Sequence, residues 1–558
     1  MRRKGRLVTA TTLAVVSIAV AACSSSGSSS PSSAGTGGAP VTSGNGSSSE
    51  TGGSTTMNPG TIVAADVDLD TLLPANTQLA FSEVGLLWAP IVTFNSDGSL
   101  RYIQASSVDG SKNSTVWTIK FRPGWTFSNG EPVTAQSYAD GWNFSAYGPN
   151  GNSDGYQLAN IVGYSDLNPS SGKPKVKTLS GVKVLDQYTL QVTLSKPDSQ
   201  FPLELGPGQP GFYPMPKAGI QNPSSFKTQP IGDGPYEMDG AASLNQYVKL
   251  KAYPGYKGPN KPHVEHIEFK LYSSPDTAWT DTQAGNVDVD LAPQDKFLQI
   301  KSDFGDRVVT ASGASIEWLG FALFDKKFQN IKLREAISLA IDRDAINKAI
   351  FGGIYEPADS LFAPSIIGGS THACKWCHFD PTEAKKLLQE AGGWSGPMTI
   401  AYPGGAGYDQ AFQAVANQIR QNLGIDCTAK PSVGFSDFFT NLEKKKYTDG
   451  PFRGKWGSTY PSPADTLNSV FTPTGAYNDS VGFYSNPKVT SDVQQGNAAP
   501  NLQAMVKYYQ NVERMIEGDF PVIPMFWEKF PFVYSDNVTN VHTQPGLIDI
   551  DWTDLELK

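Results

Sequence analysis

The sequence predicts an α/β protein of at least two domains, on three observations. The chain has 558 residues, and roughly 500 of them lie beyond a polar N-terminal stretch, more than one hydrophobic core holds. Short alternating segments punctuated by Gly and Pro fill the first half, which reads as strands joined by long loops. In the second half helical periodicity and strand segments take turns, the pattern of an α/β lobe. Hydrophobic residues make up 39% and aromatic residues 11% of the chain, so the body can bury cores and is not a disordered polymer.

The elements follow in chain order. A basic start, Arg2-Arg3-Lys4-Gly5-Arg6, precedes an apolar run over residues 7–22 that closes on Val20-Ala21-Ala22. These are the parts of an export signal, and the run is too short to remain as a membrane span. Cys23, directly after the small residues, resembles the lipidation site of a bacterial lipoprotein. That resemblance implies removal of residues 1–22 and a lipidated N-terminus at Cys23. More than one acyl chain there gives lasting membrane attachment. Residues 24–60 are mostly Ser, Gly, Thr and Pro. They read as a disordered tether, with a reach of about 35 Å as a flexible coil.

From residue 61 the composition becomes globular. Strands are expected at 62–65, 117–121, 188–194 and 266–271, where apolar residues alternate or cluster. A helix is expected over 333–350, with Ala336, Ile337, Ala340 and Ile341 on one face. Asp380-Pro381-Thr382-Glu383 carries an N-cap, a first-turn proline and a capping-box glutamate; Leu387 and Leu388 follow, and Gly392 stops the helix. Residues 409–423 place Ala414, Val415, Ile419 and Leu423 on one side, with Gly424 after them. A strand is expected to start at Cys427.

Charge and motif content narrow the function. The formal net charge is −9, which argues against nucleic acid as a partner, because phosphate binding needs a basic face. No Gly-x-Ser-x-Gly elbow, P-loop or His-Glu-x-x-His sequence is present, so no enzyme is expected. Asp288 and Asp290 share a strand face and read as surface or turn residues. Of the five His, only His263 and His266 lie close together, so no metal and no cofactor is expected. Cys374-Lys375-Trp376-Cys377-His378 has the written form of a haem-attachment motif. A small disulfide loop between Cys374 and Cys377 is the expected reading in an exported protein, ahead of haem, metal or free thiols.

Several segments in order resemble the large solute-binding proteins of ABC-type peptide importers, the dipeptide- and oligopeptide-binding family. They are Trp117-Thr118-Ile119-Lys120-Phe121-Arg122-Pro123-Gly124-Trp125 running on to Gly130-Glu131-Pro132-Val133-Thr134-Ala135, then Pro230-Ile231-Gly232-Asp233-Gly234-Pro235-Tyr236 and Ala284-Gly285-Asn286-Val287-Asp288. Leu333-Arg334-Glu335-Ala336-Ile337 with Ala340-Ile341-Asp342-Arg343, Phe379-Asp380-Pro381, and Trp456 with Tyr460-Pro461-Ser462-Pro463 continue the series. The resemblance implies a two-lobed fold of the periplasmic-binding-protein type (class II, cluster C). Lobe 1 is then 61–312 with an extra subdomain at about 97–225, lobe 2 is 313–524, and 525–558 returns to lobe 1. The chain would cross between lobes near 313 and near 524. It further implies an extracytoplasmic, lipid-anchored monomer that binds peptides and delivers them to a permease with its ATPase subunits.

The resemblance also points to site residues. In that family the segment around this Trp lines the cleft, with basic residues for a peptide carboxylate and an Asp for its amine. Here that gives Arg453, Lys455, Trp456, Gly457, Ser458, Thr459 and Tyr460, with Gln78 from the first lobe. Lys444, Lys445 and Lys446 read as a solvated helix end. The departure is Thr459, which stands where the family's Asp is expected; a hydroxyl cannot neutralise an ammonium. Asp465 could substitute by a shift of register, but a ligand held by backbone contacts, a modified peptide or a glycan is preferred at this point. The second functional reading is therefore a lipoprotein of the same fold that binds glycan or cell-envelope glycolipid, or serves as an envelope scaffold.

Overall fold

A computed structural model describes residues 57–404, 407–458 and 460–558. Cys23, most of the expected tether and Thr459 lie outside them. The first strand, β1 (Asn58–Val67), alternates so that Ile62 and Ala64 are wholly buried. It begins inside the stretch assigned to the tether: Asn58 pairs with Val264, and its side-chain oxygen accepts from Gly60 N at 2.9 Å. Residues 58–60 therefore belong to the folded body and not to the tether.

Nine further strands join β1 in one sheet: β2 (Tyr236–Met238), β3 (Tyr247–Ala252), β4 (Val264–Tyr272), β5 (Val289–Leu291), β6 (Val308–Gly320), β7 (Met398–Tyr402), β8 (Cys427–Pro431), β9 (Phe452–Ser458) and β10 (Val522–Tyr534). Their order is β8-β7-β9-β6-β10-β5-β1-β4-β3-β2, and the short strand Glu356–Pro357 also pairs with β10. Strands from the first 291 residues thus lie on one side of β6 and β10, and strands 398–458 on the other. The sheet passes from one lobe to the other only through these two antiparallel thirteen-residue strands.

Their register shifts twice, between Glu317 and Trp318 and, at a wider break, between Ser312 (opposite Lys529) and Ile316 (opposite Trp527). Gly313 sits in the break, and a Cβ there would come within 2.8 Å of the Ile548 side chain. Residues 313–315 lie in this break, with Glu528 opposite them. The division is not clean in packing. Phe297, Ile300 and Phe304, from the stretch assigned to lobe 1, share a core with Phe351 and Phe526. Apolar groups flanking the crossing bury each other across the nominal boundary.

The expected 97–225 subdomain contains a four-stranded antiparallel sheet, ordered 105–110, 116–121, 189–193, 182–186. Helix Ala135–Ala146 covers it through a core of Trp117, Ile119, Tyr138 and Trp142. The C-terminal stretch packs back on lobe 1, with Trp552 against Phe269 at 5.0 Å between ring centroids.

The helix expected over 333–350 is two helices, Ile331–Leu339 and Arg343–Ile350. Asp342 caps the second by accepting from Ala345 N at 2.9 Å, and a capping residue is extended, which breaks the run. Asp380 caps its helix by accepting from Thr382 N and Glu383 N, each at 3.0 Å. Glu383 turns to Lys386 instead of closing the box. Asp288 and Asp290 are buried, not at the surface: Asp288 accepts from Val63 N at 3.0 Å and Ser535 Oγ at 2.7 Å, Asp290 from Thr282 Oγ1 at 2.8 Å. Cys374 and Cys377 are disulfide-bonded with Cα atoms 5.5 Å apart. Cys427 is free and buried, and burial pushes its thiol up to about 12. No helix among the described residues is long and apolar enough to cross a membrane.

Candidate functional site

Arg453 to Ser458 belong to strand β9, and alternation divides them between two faces. Arg453, Lys455 and Gly457 point one way; Gly454, Trp456 and Ser458 point the other. Gly454 lies opposite Trp318 of β6, and a Cβ there would sit 2.0 Å from the indole nitrogen, so only glycine allows that approach.

The basic face enters an ionic network at the crossing. Arg453 is 3% exposed; its Nε donates to Glu317 Oε2 at 2.8 Å and its guanidinium lies 4.1 Å from the Tyr408 ring centroid. Lys455 Nζ is 2.6 Å from Glu528 Oε2, which also accepts from Ser315 Oγ at 2.7 Å. Burial lifts the Glu317 carboxyl above its ordinary range against the pull of Arg453. Burial acts upward on Glu528 too, but Lys455 and Ser315 outweigh it and hold that carboxyl below its ordinary value. Both cations are thus already matched to carboxylates. Arg453 Nη2 is buried without a hydrogen-bond partner, as is Trp527 Nε1 on β10.

The other face carries Trp456. Its indole Nε1 donates to Asp465 Oδ2 at 2.9 Å, and its ring meets Tyr477 at 4.7 Å between centroids. Asp465 lies on the short helix Pro463–Thr466, which Ser458 touches through a 3.3 Å contact with Thr466 Oγ1. Burial raises the Asp465 carboxyl, against hydrogen bonds from Trp456 and the serines Ser458 and Ser469. No ion pair to Asp465 occurs among the described residues.

Lobe 1 faces this group with Asp154 and Tyr156. Tyr156 is 48% exposed, yet its phenol is pushed up to about 12, first by burial, then by the charge of Asp154 on its own lobe and Asp465 on the other. The charge of Asp465 is thus felt at Tyr156. Asp154 is held near 7 by burial, against hydrogen bonds from Ser153 and Gln78. Gln78 Nε2 donates to Ser153 Oγ at 3.0 Å and to the Asp154 carboxylate at 3.3 Å, so it braces Asp154 from within lobe 1.

Of the expected site residues, Trp456 and Ser458 gather around Asp465, while Arg453 and Lys455 belong to the crossing network. Gly457 lies opposite Ser315 of β6. Tyr460 is 7% exposed and fills a small core with Phe94 and Leu203 from the stretch assigned to lobe 1. Sequence reading missed Glu317, Glu528, Tyr408, Asp154, Tyr156 and Tyr477. Two surface hollows of about 490 and 250 Å³ lie away from this cluster, beside Asp492 and Lys507 and beside Lys326 and Trp394.

Asp290 and Asp549 are also raised to about 7 by burial, as is Glu513, and Glu517 to about 8. Their unfolded values lie near 4. The stability these groups contribute is therefore complete below about pH 4 and lost as pH rises through 7 to 8. Thermal unfolding should occur at a lower temperature at pH 8 than at pH 5.5; a midpoint that is flat or rises over that interval contradicts the assignment.

Two lobes joined by two long antiparallel strands give a fold of the periplasmic-binding-protein type. Residues 102–478 match the family described as bacterial extracellular solute-binding proteins, family 5, middle region, and the chain belongs to that family. It is 23% identical over 496 residues to the glutathione-binding protein GsiB of Escherichia coli K12, covering 87% of this chain and 92% of the relative. It is 24% identical over 496 residues to the oligopeptide-binding protein OppA of Bacillus subtilis, covering 85% and 87%. The fold overlaps the unliganded open form of the murein tripeptide-binding protein MppA with a TM-score of 0.79 at 20% identity, over 89% of this chain and 97% of that one. It overlaps Haemophilus influenzae OppA in complex with the peptide RPPGFSPFR at 0.64 and 20% identity, over 89% and 99%.

Proposed function

We propose that the protein captures a peptide with a free amine between its lobes and delivers it to an ABC permease, held at the outer face of the cell membrane by lipidated Cys23. The observation that carries this reading is the Asp465 carboxylate. It is partly buried, set against Trp456 and Tyr477, opposed by Tyr156, and matched to no cation among the described residues. Such a carboxylate among aromatic rings suits an ammonium group. It supplies the negative charge that Thr459 lacks, from six residues further on. Arg453 Nη2, buried without a hydrogen-bond partner, suits a ligand carbonyl or carboxylate.

The relatives support a peptide-like cargo, since they are named for glutathione, oligopeptides and murein tripeptide. Closure requires only that the ligand bind the closed arrangement better than the open one. A second reading, a glycan or glycolipid ligand, draws on the neutral Thr459 and Gln78 and on the Trp456–Tyr477 ring pair, which suits the apolar face of a sugar.

Calorimetry with tetra-alanine and N-acetyl-tetra-alanine separates the two. The free amine is expected to bind about 10–100-fold more tightly, the range of a charge-assisted hydrogen bond. Equal binding, or preference for the acetylated peptide, would falsify the amine assignment.

A further inference from the structure

Beyond the crossing strands, the lobes meet along a second seam. The inserted subdomain approaches lobe 2 through Ser114, Ser199 and Gln200, which are 0–5% exposed. Ser199 N donates to Asn497 O and Ser199 Oγ to Gly496 O, each at 2.8 Å; Ser114 Oγ donates to Ala499 O. Gly98 is packed so tightly here that a Cβ would lie 2.6 Å from Ile367 N.

This seam ends on the helix that carries Asp465. Ser462, wholly buried, caps helix Pro463–Thr466: its Oγ accepts from Ala464 N at 3.2 Å and donates to Gln200 Oε1 at 2.9 Å. A hydroxyl has one proton. When Gln200 takes that proton, the lone pair of Ser462 is aimed at the Ala464 N–H, which is the capping geometry. The far end of the turn is tied as well. Asn468 Nδ2 donates to Ala464 O at 2.8 Å, Asn497 Nδ2 donates to Asn468 Oδ1 at 2.8 Å, and Asn497 O is the acceptor for Ser199 N. Two neighbouring residues of lobe 1 thus brace both ends of a four-residue helix in lobe 2.

We propose that Gln200 is a positioning residue for ligand capture: through Ser462 it fixes the helix that presents Asp465, so the inserted subdomain takes part in setting ligand preference. The proposal rests on the reading of Asp465 as the amine acceptor, and the test separates the two. In the full-length protein, Gln200→Leu is expected to lower the ratio of tetra-alanine to N-acetyl-tetra-alanine affinity about fivefold to tenfold, the size of a lost N-cap. Ser462→Ala should lower it alike, and Ser462→Thr, which keeps the hydroxyl, should recover it. In the Ser462→Ala background Gln200→Leu should add nothing. An unchanged ratio in Gln200→Leu, or a loss that simply adds to that of Ser462→Ala, overturns the proposal. A second readout needs no ligand: the emission of Trp456, taken as the difference between protein with and without Trp456→Phe. It should shift in Gln200→Leu. If tetra-alanine does not bind the unsubstituted protein, the amine reading has failed, and an unshifted Trp456 emission then overturns the positioning role on its own.

Discussion

Arg453→Ala is expected to lower the unfolding free energy by about 3–5 kcal/mol, the cost of leaving a buried charge without its partner. The cause is Glu317. It is 8% exposed, receives the Arg453 Nε hydrogen bond at 2.8 Å, and has its other compensating cation, Lys455, committed to Glu528. Removal of the guanidinium leaves Glu317 to take up a proton or to draw in water beside the crossing strands. Adding Glu317→Gln should return part of the loss, because the amide carries no charge to strand. Denaturant unfolding of the two variants measures this. A loss under about 1 kcal/mol for Arg453→Ala would mean that the pair behaves as an exposed one. The same experiment decides what Arg453 is for. Stability loss with retained ligand preference makes it a support of the crossing. Loss of ligand preference at unchanged stability makes it a ligand contact.

Asp465→Asn is expected to weaken tetra-alanine binding about 10–100-fold while leaving N-acetyl-tetra-alanine nearly unchanged. Asn keeps an oxygen that can accept from Trp456 Nε1, so the ring stays in place while the charge is removed. The pH dependence has a definite sign. Burial holds the Asp465 carboxyl above its ordinary value, so a larger fraction is neutral at mildly acidic pH. An ammonium needs the ionised form, and affinity should therefore rise as pH rises through the Asp465 titration and be flat in Asp465→Asn. Isothermal titration at several pH values checks both. An equal loss for the free and acetylated peptides would mean that Asp465 acts through packing alone.

The parts of the fold written locally were legible. β1 and β4, the 116–121 strand and the 409–423 helix follow from alternation and spacing, because each face meets one environment along its length. The break at Asp342 was missed because the apolar spacing continues through it, and the cap that interrupts it lies in the backbone conformation. The candidate site was half legible. Trp456 is singled out through the family resemblance, but its strand is not expected, although alternation along 452–458 could have separated Lys455 from Trp456. The partners could not be read. Glu317 lies 136 residues from Arg453, and Ser315 lies 213 from Glu528. Asp154 and Tyr156 sit in a 3-10 turn without periodic pattern. Asp288 and Asp290 looked like surface acids because acidic side chains usually are. Their burial depends on Val63, Ser535 and Thr282, which only the folded sheet brings near.

The most direct test of peptide capture is native mass spectrometry of the protein with the ligand it retains through purification. The account predicts a mixed population of bound peptides with free amines, released by Asp465→Asn. A single bound glycan or lipid, retained by Asp465→Asn, would contradict it.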